Sequence, residues 1–311
     1  MRSLLDDHPQ LFVIPFETHY FQNFGQWVRN PYRKQNPVKL HVDEIINAFT
    51  KWIEHYNTTD NVLADSAIAG SIDPDIFKKS FSDQDESTSH KDRIELYFRS
   101  VARALGKPSD DQDKEFRFVE KSIENAEFSF AYQNLFPDAK FLHIIRNPYA
   151  NIVSLRKFRM SGNKPYPLMH RMIETIRSNF YHLYQNSSFI RNFKLVKYEE
   201  LVSEPEKIMR AVAEFLEIDY CESLLKPTVL GSDWHGNSTT GNKFKTVSAD
   251  GLNKWQSEIK HPEVYYINRA VPFVFDDFGY TKIDDNAGFW LPLRKEPFRK
   301  YLANRLYRYY L

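Results

Sequence analysis

The sequence is poor in cysteine and glycine, and it contains no long hydrophobic run. Cys221 is the only cysteine among 311 residues, so an internal disulfide is excluded, and either a reducing compartment such as the cytoplasm or a fold that needs no disulfide is favoured. Only 10 residues are glycine, and neither GxGxxG nor GxxxxGK[ST] occurs, so the usual dinucleotide and Walker phosphate loops are missing. No apolar stretch approaches the roughly 18 residues of a membrane span, and residues 1–10 lack the pattern of a secretory signal.

A dominant charge of one sign is also missing. Lysine and arginine number 42 against 41 acidic residues, which leaves a net charge of +1 and no overall field that would attract nucleic acid or a membrane. What the chain does have is 42% hydrophobic residues and an unusual 15% of aromatic residues. Together with its length, this composition predicts a globular protein of one large α/β domain or two small ones.

Metal-binding patterns are not visible among the histidines. His8, His19 and His41 show no i, i+4 spacing and no neighbouring cysteine cluster, so the sequence predicts no metal site. His143 lies among apolar residues of a predicted strand. A histidine in such a place is more often a core residue than a catalyst, although a catalytic role stays open.

Two strand-to-helix units occupy the middle of the chain. Residues 140–145 form a nearly continuous apolar run, which predicts a buried parallel strand, and Asn147 and Pro148 then supply a helix cap and first turn. Residues 194–198 predict a second strand that is followed by a helix, and residues 11–14 predict a shorter one. Strands that alternate with helices predict a layered α/β fold, in which ligands bind at the carboxyl ends of parallel strands.

Two polar side chains accompany the first of these units. Arg146 directly follows the strand, where a phosphate would sit, and Ser154 lies two helical turns after Asn147 on the same side. The pair could clamp one anion. Taken alone, Arg146 is also consistent with a surface residue or with the partner of a nearby carboxylate.

Several segments together resemble the sulfotransferases that use 3'-phosphoadenosine 5'-phosphosulfate (PAPS), and the tyrosylprotein and carbohydrate enzymes most nearly. They are residues 136–158, Glu120-Lys121-Ser122, residues 197–201, the loop 239–248, Asn253-Lys254-Trp255 and Phe278-Gly279-Tyr280. Ile123 stands where the family usually has proline. The resemblance covers a domain at about 1–281, and 282–311 form a basic, aromatic C-terminal tail.

The resemblance implies PAPS as the donor and assigns five residues to its binding. Arg146 and Ser154 would hold the 3'-phosphate, and Lys245 would reach the same group. Tyr198 and Lys254 would contact the nucleotide. A glycan on the N-x-[ST] sequon at Asn237 would obstruct the loop that closes over the nucleotide, which again favours a cytoplasmic protein.

Three further residues receive catalytic roles from the resemblance, and no metal is required. Glu17 follows the first predicted strand, in the family's position for the carboxylate that activates the acceptor hydroxyl. Lys121 and Thr239 would stabilise the charge that develops on the leaving nucleotide.

The implied fold is a P-loop-type three-layer sandwich with a central parallel sheet that lacks its first strand and loop. In the family, a phosphosulfate-binding loop directly precedes a segment like residues 1–9, so we expect Met1 to be an internal methionine. In-frame codons upstream should then encode an apolar strand and a Ser-Gly-Thr-Thr-like loop. Without that loop the chain is expected to bind the donor poorly, and its own activity stays open.

The predicted function is sulfuryl transfer from PAPS to a hydroxyl of an unidentified acceptor, which could be a sugar, a phenol or tyrosine, or a lipid. A nucleotide or sugar kinase on the same scaffold is one alternative, but the Walker lysine and the Mg²⁺ carboxylates of such kinases are not visible. A non-catalytic protein of the same fold that only binds the nucleotide is another.

The C-terminal tail has the pattern of an amphipathic helix. Phe298, Leu302, Leu306 and Tyr309 recur at helical spacing, and basic residues surround them. This apolar stripe predicts docking either on the chain's own domain or on a partner or membrane surface.

Overall fold

The computed structural model describes residues 1–23, 41–58, 70–107, 117–234, 246–285, 293 and 295–311. The strands are β1 Leu11–Val13, β2 Arg117–Val119, β3 Phe141–Ile145, β4 Phe193–Lys197, β5 Thr228–Val229 and β6 Ser232–Asp233. The helices are α1 Arg2–Leu5, α2 Tyr20–Asn23, α3 Val42–Thr58, α4 Pro74–Phe81, α5 His90–Ala104, α6 Asn125–Leu135, α7 Pro148–Met160, α8 Met169–Phe189, α9 Tyr198–Ser203, α10 Pro205–Leu216, α11 His261–Ala270, α12 Phe273–Phe278 and α13 Phe298–Leu306.

The predicted α/β class and the parallel pairing of strands are confirmed. β3 lies parallel to β4 with Phe141 opposite Phe193, and β1 lies parallel to β2 with Leu11 opposite Arg117. Within the described residues these are two separate two-stranded pairs, and β5 and β6 form a third, antiparallel pair. β3 is less covered than its apolar sequence predicts, because Ile144 is 38% exposed.

The described chain divides into two compact units. The first contains residues 1–139 together with 209–234 and 246–247, and the second contains residues 140–208 and the described residues from 248 onward. Each unit has its own aromatic-rich core. Among its fully buried members, the first core includes Ile14, Phe49, Phe77 and Tyr97, and the second includes Tyr149, Met172, Ile173 and Ile267.

Local sequence signals explain where the main helices begin and end. The Asn147 side chain accepts a hydrogen bond from the Tyr149 backbone N–H at 2.9 Å, and Pro148 occupies the first turn of α7, as predicted. Ser89 caps α5 in the same way, with its Oγ accepting from Asp92 N. α5 ends before Gly106, whose φ of +66° no β-branched residue would tolerate.

The boundaries of the domain at 1–281 and the tail at 282–311 stay predictions. A helix does form within the tail, as α13. Among the helices that the structure describes, none combines the length and the apolar character needed to cross a membrane.

Candidate functional site

Glu17 and Lys121 are brought together by the parallel pairing of β1 and β2. Each residue follows the carboxyl end of its strand, and the ends of two parallel strands lie at the same edge. The Lys121 ammonium donates a hydrogen bond to Glu17 Oε1 and forms an ion pair with it. The Glu17 side chain is only 14% exposed, whereas that of Lys121 is 49% exposed.

His19 lies between two carboxylates in the same unit. Its Nδ1 contacts Glu124 Oε1, and its Nε2 is 3.5 Å from Glu17 Oε2. Burial by itself lowers the pKa of His19, but the hydrogen bond and charge of Glu124, with the charges of Glu17 and Glu120, outweigh burial and raise it. The sequence pattern around His19 gave no sign of this arrangement.

Glu120 links the segment at residues 17–19 to the segment at residues 120–125. Its Oε1 accepts hydrogen bonds from the hydroxyl and the backbone N–H of Thr18, at 2.9 Å and 3.3 Å. Asn125 donates to its other oxygen. The His19 backbone N–H, in turn, donates to Ser122 Oγ at 3.1 Å. Residues 120–125 therefore fix the backbone that carries Glu17 and His19.

Glu17, His19 and Glu124 also form the one group of possible metal ligands found among the described residues. One ligand atom from each lies within 4.8 Å of the others. The ammonium of Lys121 contacts Oε1 of Glu17, whereas Oε2 of Glu17 lies 3.5 Å from His19 Nε2. The prediction of no metal site is tested by chelation below.

Replacing His19 by asparagine tests the charge pattern of this cluster. Asparagine tolerates the positive φ of 48° at this position, but it cannot be protonated. Since the pKa of His19 is raised in the folded protein, protonation stabilises the fold fully below the ordinary value of 6.5. This contribution is lost as the pH rises through the folded pKa. The stability of the wild type relative to the variant, measured by urea denaturation, should therefore fall as the pH rises above the ordinary value of about 6.5; a constant difference would contradict the raised pKa.

In the second unit, Arg146 lies at the carboxyl end of β3, as predicted. Its guanidinium carbon is 4.7 Å from the centre of the Tyr198 ring, which follows β4. The buried Nε of Arg146 has no hydrogen-bond partner among the described residues. A buried donor without a partner is unusual in a folded protein and calls for a partner outside the described residues, such as a ligand or a water molecule.

Glu199 ties this turn to the end of the predicted domain. Its Oε1 accepts from the Asn147 backbone N–H at 2.8 Å, and its Oε2 accepts from the Tyr280 hydroxyl at 3.1 Å. Burial, followed by the charge of Glu199, raises the pKa of Tyr280. Gly279, with a φ of +67°, ends α12 and turns the chain toward Tyr280. The Gly-Tyr pair thus has a structural role that the sequence resemblance did not specify.

Ser154 and Lys254 occupy this unit as well. Ser154 lies half-buried in α7. Lys254 is exposed at the start of a short 3-10 helix, Lys254–Ser257, and the next residue, Trp255, stacks on Tyr149 with ring centres 5.6 Å apart. Packing of Trp255 therefore fixes the backbone from which Lys254 projects.

Two predicted residues, Thr239 and Lys245, lie outside the described residues. His143 is half-buried in β3, and burial, with a smaller effect of His182, lowers its pKa to about 4. This histidine is therefore neutral near pH 7, which fits the core interpretation. The catalytic and binding roles of all eight predicted residues stay predictions.

Comparisons with known proteins agree with this fold. The profile of the sulfotransferase family matches residues 1–222 of the chain. A search of curated proteins finds no match. Among solved structures, a sulfotransferase domain from the Synechococcus PCC 7002 olefin synthase has a TM-score of 0.51 and 16% identity, covering 100% of this chain and 90% of that one. A sulfotransferase domain from the curacin biosynthetic pathway has a TM-score of 0.53 and 16% identity, covering 91% and 93%.

Proposed function

The chain belongs to the sulfotransferase family and has an α/β sulfotransferase fold, and we propose that it transfers a sulfuryl group from PAPS to a hydroxyl. The observation that carries this proposal is the buried, unpartnered Nε of Arg146 above the Tyr198 ring. We propose that the acceptor is a sugar, a phenol or tyrosine, or a lipid. The location that we propose for the protein is the cytoplasm.

Arg146 suits a phosphate for three physical reasons. The planar guanidinium donates two parallel hydrogen bonds to phosphate oxygens, and Tyr198 restricts its orientation. The residue directly precedes the N-terminus of α7, where the helix dipole favours an anion. A phosphate would also satisfy the buried Nε, which otherwise costs free energy. We therefore assign the 3'-phosphate of the donor to Arg146, with Ser154 as the second contact that the family resemblance implies.

The proposed chemistry places a base and a cation in the first unit. Glu17 accepts the proton of the acceptor hydroxyl while the oxygen of that hydroxyl forms the new bond to sulfur. Lys121, whose ammonium is half-exposed beside Glu17, stabilises the negative charge on the oxygen released when the old S–O bond breaks. The ion pair between them positions both groups before the acceptor binds. Bound PAPS supplies the sulfuryl group, and Tyr198, Lys254, Lys245 and Thr239 are proposed further contacts.

The assignment of the 3'-phosphate is tested by comparing two nucleotides in calorimetric titrations. Adenosine 3',5'-bisphosphate (PAP), the desulfated product of PAPS, differs from adenosine 5'-phosphate only in the 3'-phosphate. A charged hydrogen-bonded contact predicts that PAP binds at least about tenfold more tightly. Equal affinities would contradict the assignment.

Removal of metal is expected to leave the reaction unchanged. The proposed mechanism stabilises the transition state with Lys121 and does not use a Lewis acid. We expect the same rate of sulfuryl transfer with and without excess EDTA. If EDTA abolishes activity and a divalent cation restores it, then the group of Glu17, His19 and Glu124 becomes the first candidate for the metal site.

Two other functions remain distinguishable by turnover. A kinase of this scaffold would transfer phosphate from ATP, and a non-catalytic nucleotide-binding protein would bind PAP but cleave neither donor. Turnover of both donors is therefore measured on the same preparation of the 311-residue chain, together with PAP binding.

A further inference from the structure

The C-terminal helix α13 docks on its own unit through a polar face. Asn304, only 6% exposed, is the buried residue of this helix. Its Oδ1 accepts from the Met169 backbone N–H at 2.7 Å, its Nδ2 donates to Glu296 Oε1 at 2.6 Å, and its carbonyl accepts from the Tyr266 hydroxyl. These directional bonds fix the rotation of α13 about its axis.

Two further contacts come from the same side of the helix. The Lys300 ammonium donates to the Tyr166 carbonyl at 3.1 Å, and the Tyr307 hydroxyl donates to Glu174 Oε1 at 2.9 Å. Polar groups therefore face the protein along the length of this segment, which reverses the arrangement expected for an amphipathic surface helix.

The opposite face of α13 presents its apolar side chains to solvent. Phe298, Leu302 and Leu306 recur every fourth residue, and they are 75%, 47% and 48% exposed. Tyr309 and Tyr310 extend this surface, at 71% and 85% exposure. We call these five residues the apolar face of the tail.

The charged side chains of the tail segment that carries the apolar face all have the same sign. Residues 297–311 contain four basic side chains and no acidic one. Arg299 and Arg308 are exposed, and the Arg308 guanidinium carbon lies 4.8 Å from the Tyr309 ring centre. Two copies of this surface would repel each other, whereas an anionic surface would attract it.

We propose that the apolar face of the tail binds the surface of an anionic lipid bilayer. Phenylalanine, leucine and tyrosine side chains on one helix face enter the boundary between headgroups and acyl chains, and flanking arginines contact the lipid phosphates. α13 lies in the plane of the membrane and does not cross it. The polar docking through Asn304 holds the apolar face outward, so the folded protein binds without rearranging this helix.

Sedimentation with lipid vesicles tests the proposal on the whole chain. The wild type should bind vesicles of phosphatidylcholine and phosphatidylglycerol, and should bind pure phosphatidylcholine much more weakly. Raising the salt concentration should weaken the binding because the Debye length shortens. Replacing Arg299 and Arg308 by glutamine should weaken binding to the anionic vesicles about fivefold for each charge removed.

A matched pair of substitutions separates the apolar face from general surface effects. Leu302→Asp should reduce vesicle binding at least tenfold, whereas Ile76→Asp, at a residue of α4 that is 45% exposed, should leave it unchanged. Circular dichroism and thermal midpoints check that both variants are folded.

The proposal is overturned if the wild type does not sediment with the anionic vesicles, or if Leu302→Asp binds like the wild type. It is also overturned if light scattering shows a wild-type dimer that Leu302→Asp dissociates and no vesicle binding, since the face would then join two copies of the chain.

Discussion

Replacing Arg146 by alanine is expected to weaken the binding of PAP by about 1.5 to 3 kcal/mol, or about 10- to 150-fold. The substitution removes a charge-assisted, bidentate hydrogen-bonded contact to the 3'-phosphate. Because that contact exists before, during and after the chemical step, affinity for PAPS and for PAP should fall together. Isothermal titration with PAP measures the effect directly, and Arg146→Lys should recover only part of the affinity because a lysine presents a single point charge.

Arg159→Ala provides the matched control for this experiment. Arg159 lies on α7 and also carries a buried Nε without a hydrogen-bond partner among the described residues, but no nucleotide role is assigned to it. We expect this variant to bind PAP like the wild type. If Arg146→Ala binds PAP normally, or if both variants lose affinity equally, Arg146 does not hold the 3'-phosphate.

Glu17→Gln should lower turnover by about a hundredfold or more while nucleotide affinity stays near normal. Glutamine keeps the size of the side chain and one oxygen acceptor for Lys121, but it cannot take a proton from the acceptor hydroxyl. Glu17→Gln should therefore slow the chemical step, whereas Arg146→Ala should weaken nucleotide binding. Initial rates of sulfuryl transfer and PAP titration, measured on the same preparation, separate the two.

Glu44→Gln serves as the control for the loss of a carboxylate. Glu44 is exposed in the first turn of α3, where its Oε2 accepts from the His41 backbone N–H at 3.0 Å. This variant should retain the rate of the wild type. Transfer by Glu17→Gln at the wild-type rate would show that Glu17 is not the base, and Glu124 and His143 would then be the next residues to replace.

The turn that carries Arg146 could be predicted from the sequence because its signals are local. A run of apolar residues predicted β3, and Asn147 and Pro148 predicted the start of α7 within two positions. The same reasoning placed Glu17 after β1, and the parallel pairing of β1 with β2 then brought Lys121 to it.

Contacts between distant segments could not be predicted in this way. Glu124 meets His19 across 105 residues, and Tyr280 meets Glu199 across 81. Neither pair has a spacing or a motif that marks it, because side-chain contacts of this kind depend on how whole elements pack. The family resemblance identified Tyr280 but did not predict its contact with Glu199.

The tail shows a different limit of sequence patterns. Its periodicity predicted a helix correctly, but the pattern left open whether the apolar stripe docks on the protein. Hydrogen bonds of polar residues on the other side, chiefly those of Asn304, decide the orientation and leave Leu302 exposed. Hydrophobic periodicity indicates which residues share a face, and it does not indicate which face finds polar partners.

The most direct test of the account is donor turnover with radiolabelled nucleotides. The protein is incubated with ³⁵S-PAPS or γ-³²P-ATP and a panel of hydroxyl acceptors that contains a simple phenol, a tyrosine peptide, monosaccharides and a lipid alcohol. We predict release of PAP with transfer of ³⁵S to at least one acceptor, and no transfer of ³²P. Transfer of ³²P from ATP while PAPS remains intact with every acceptor would contradict the proposed function.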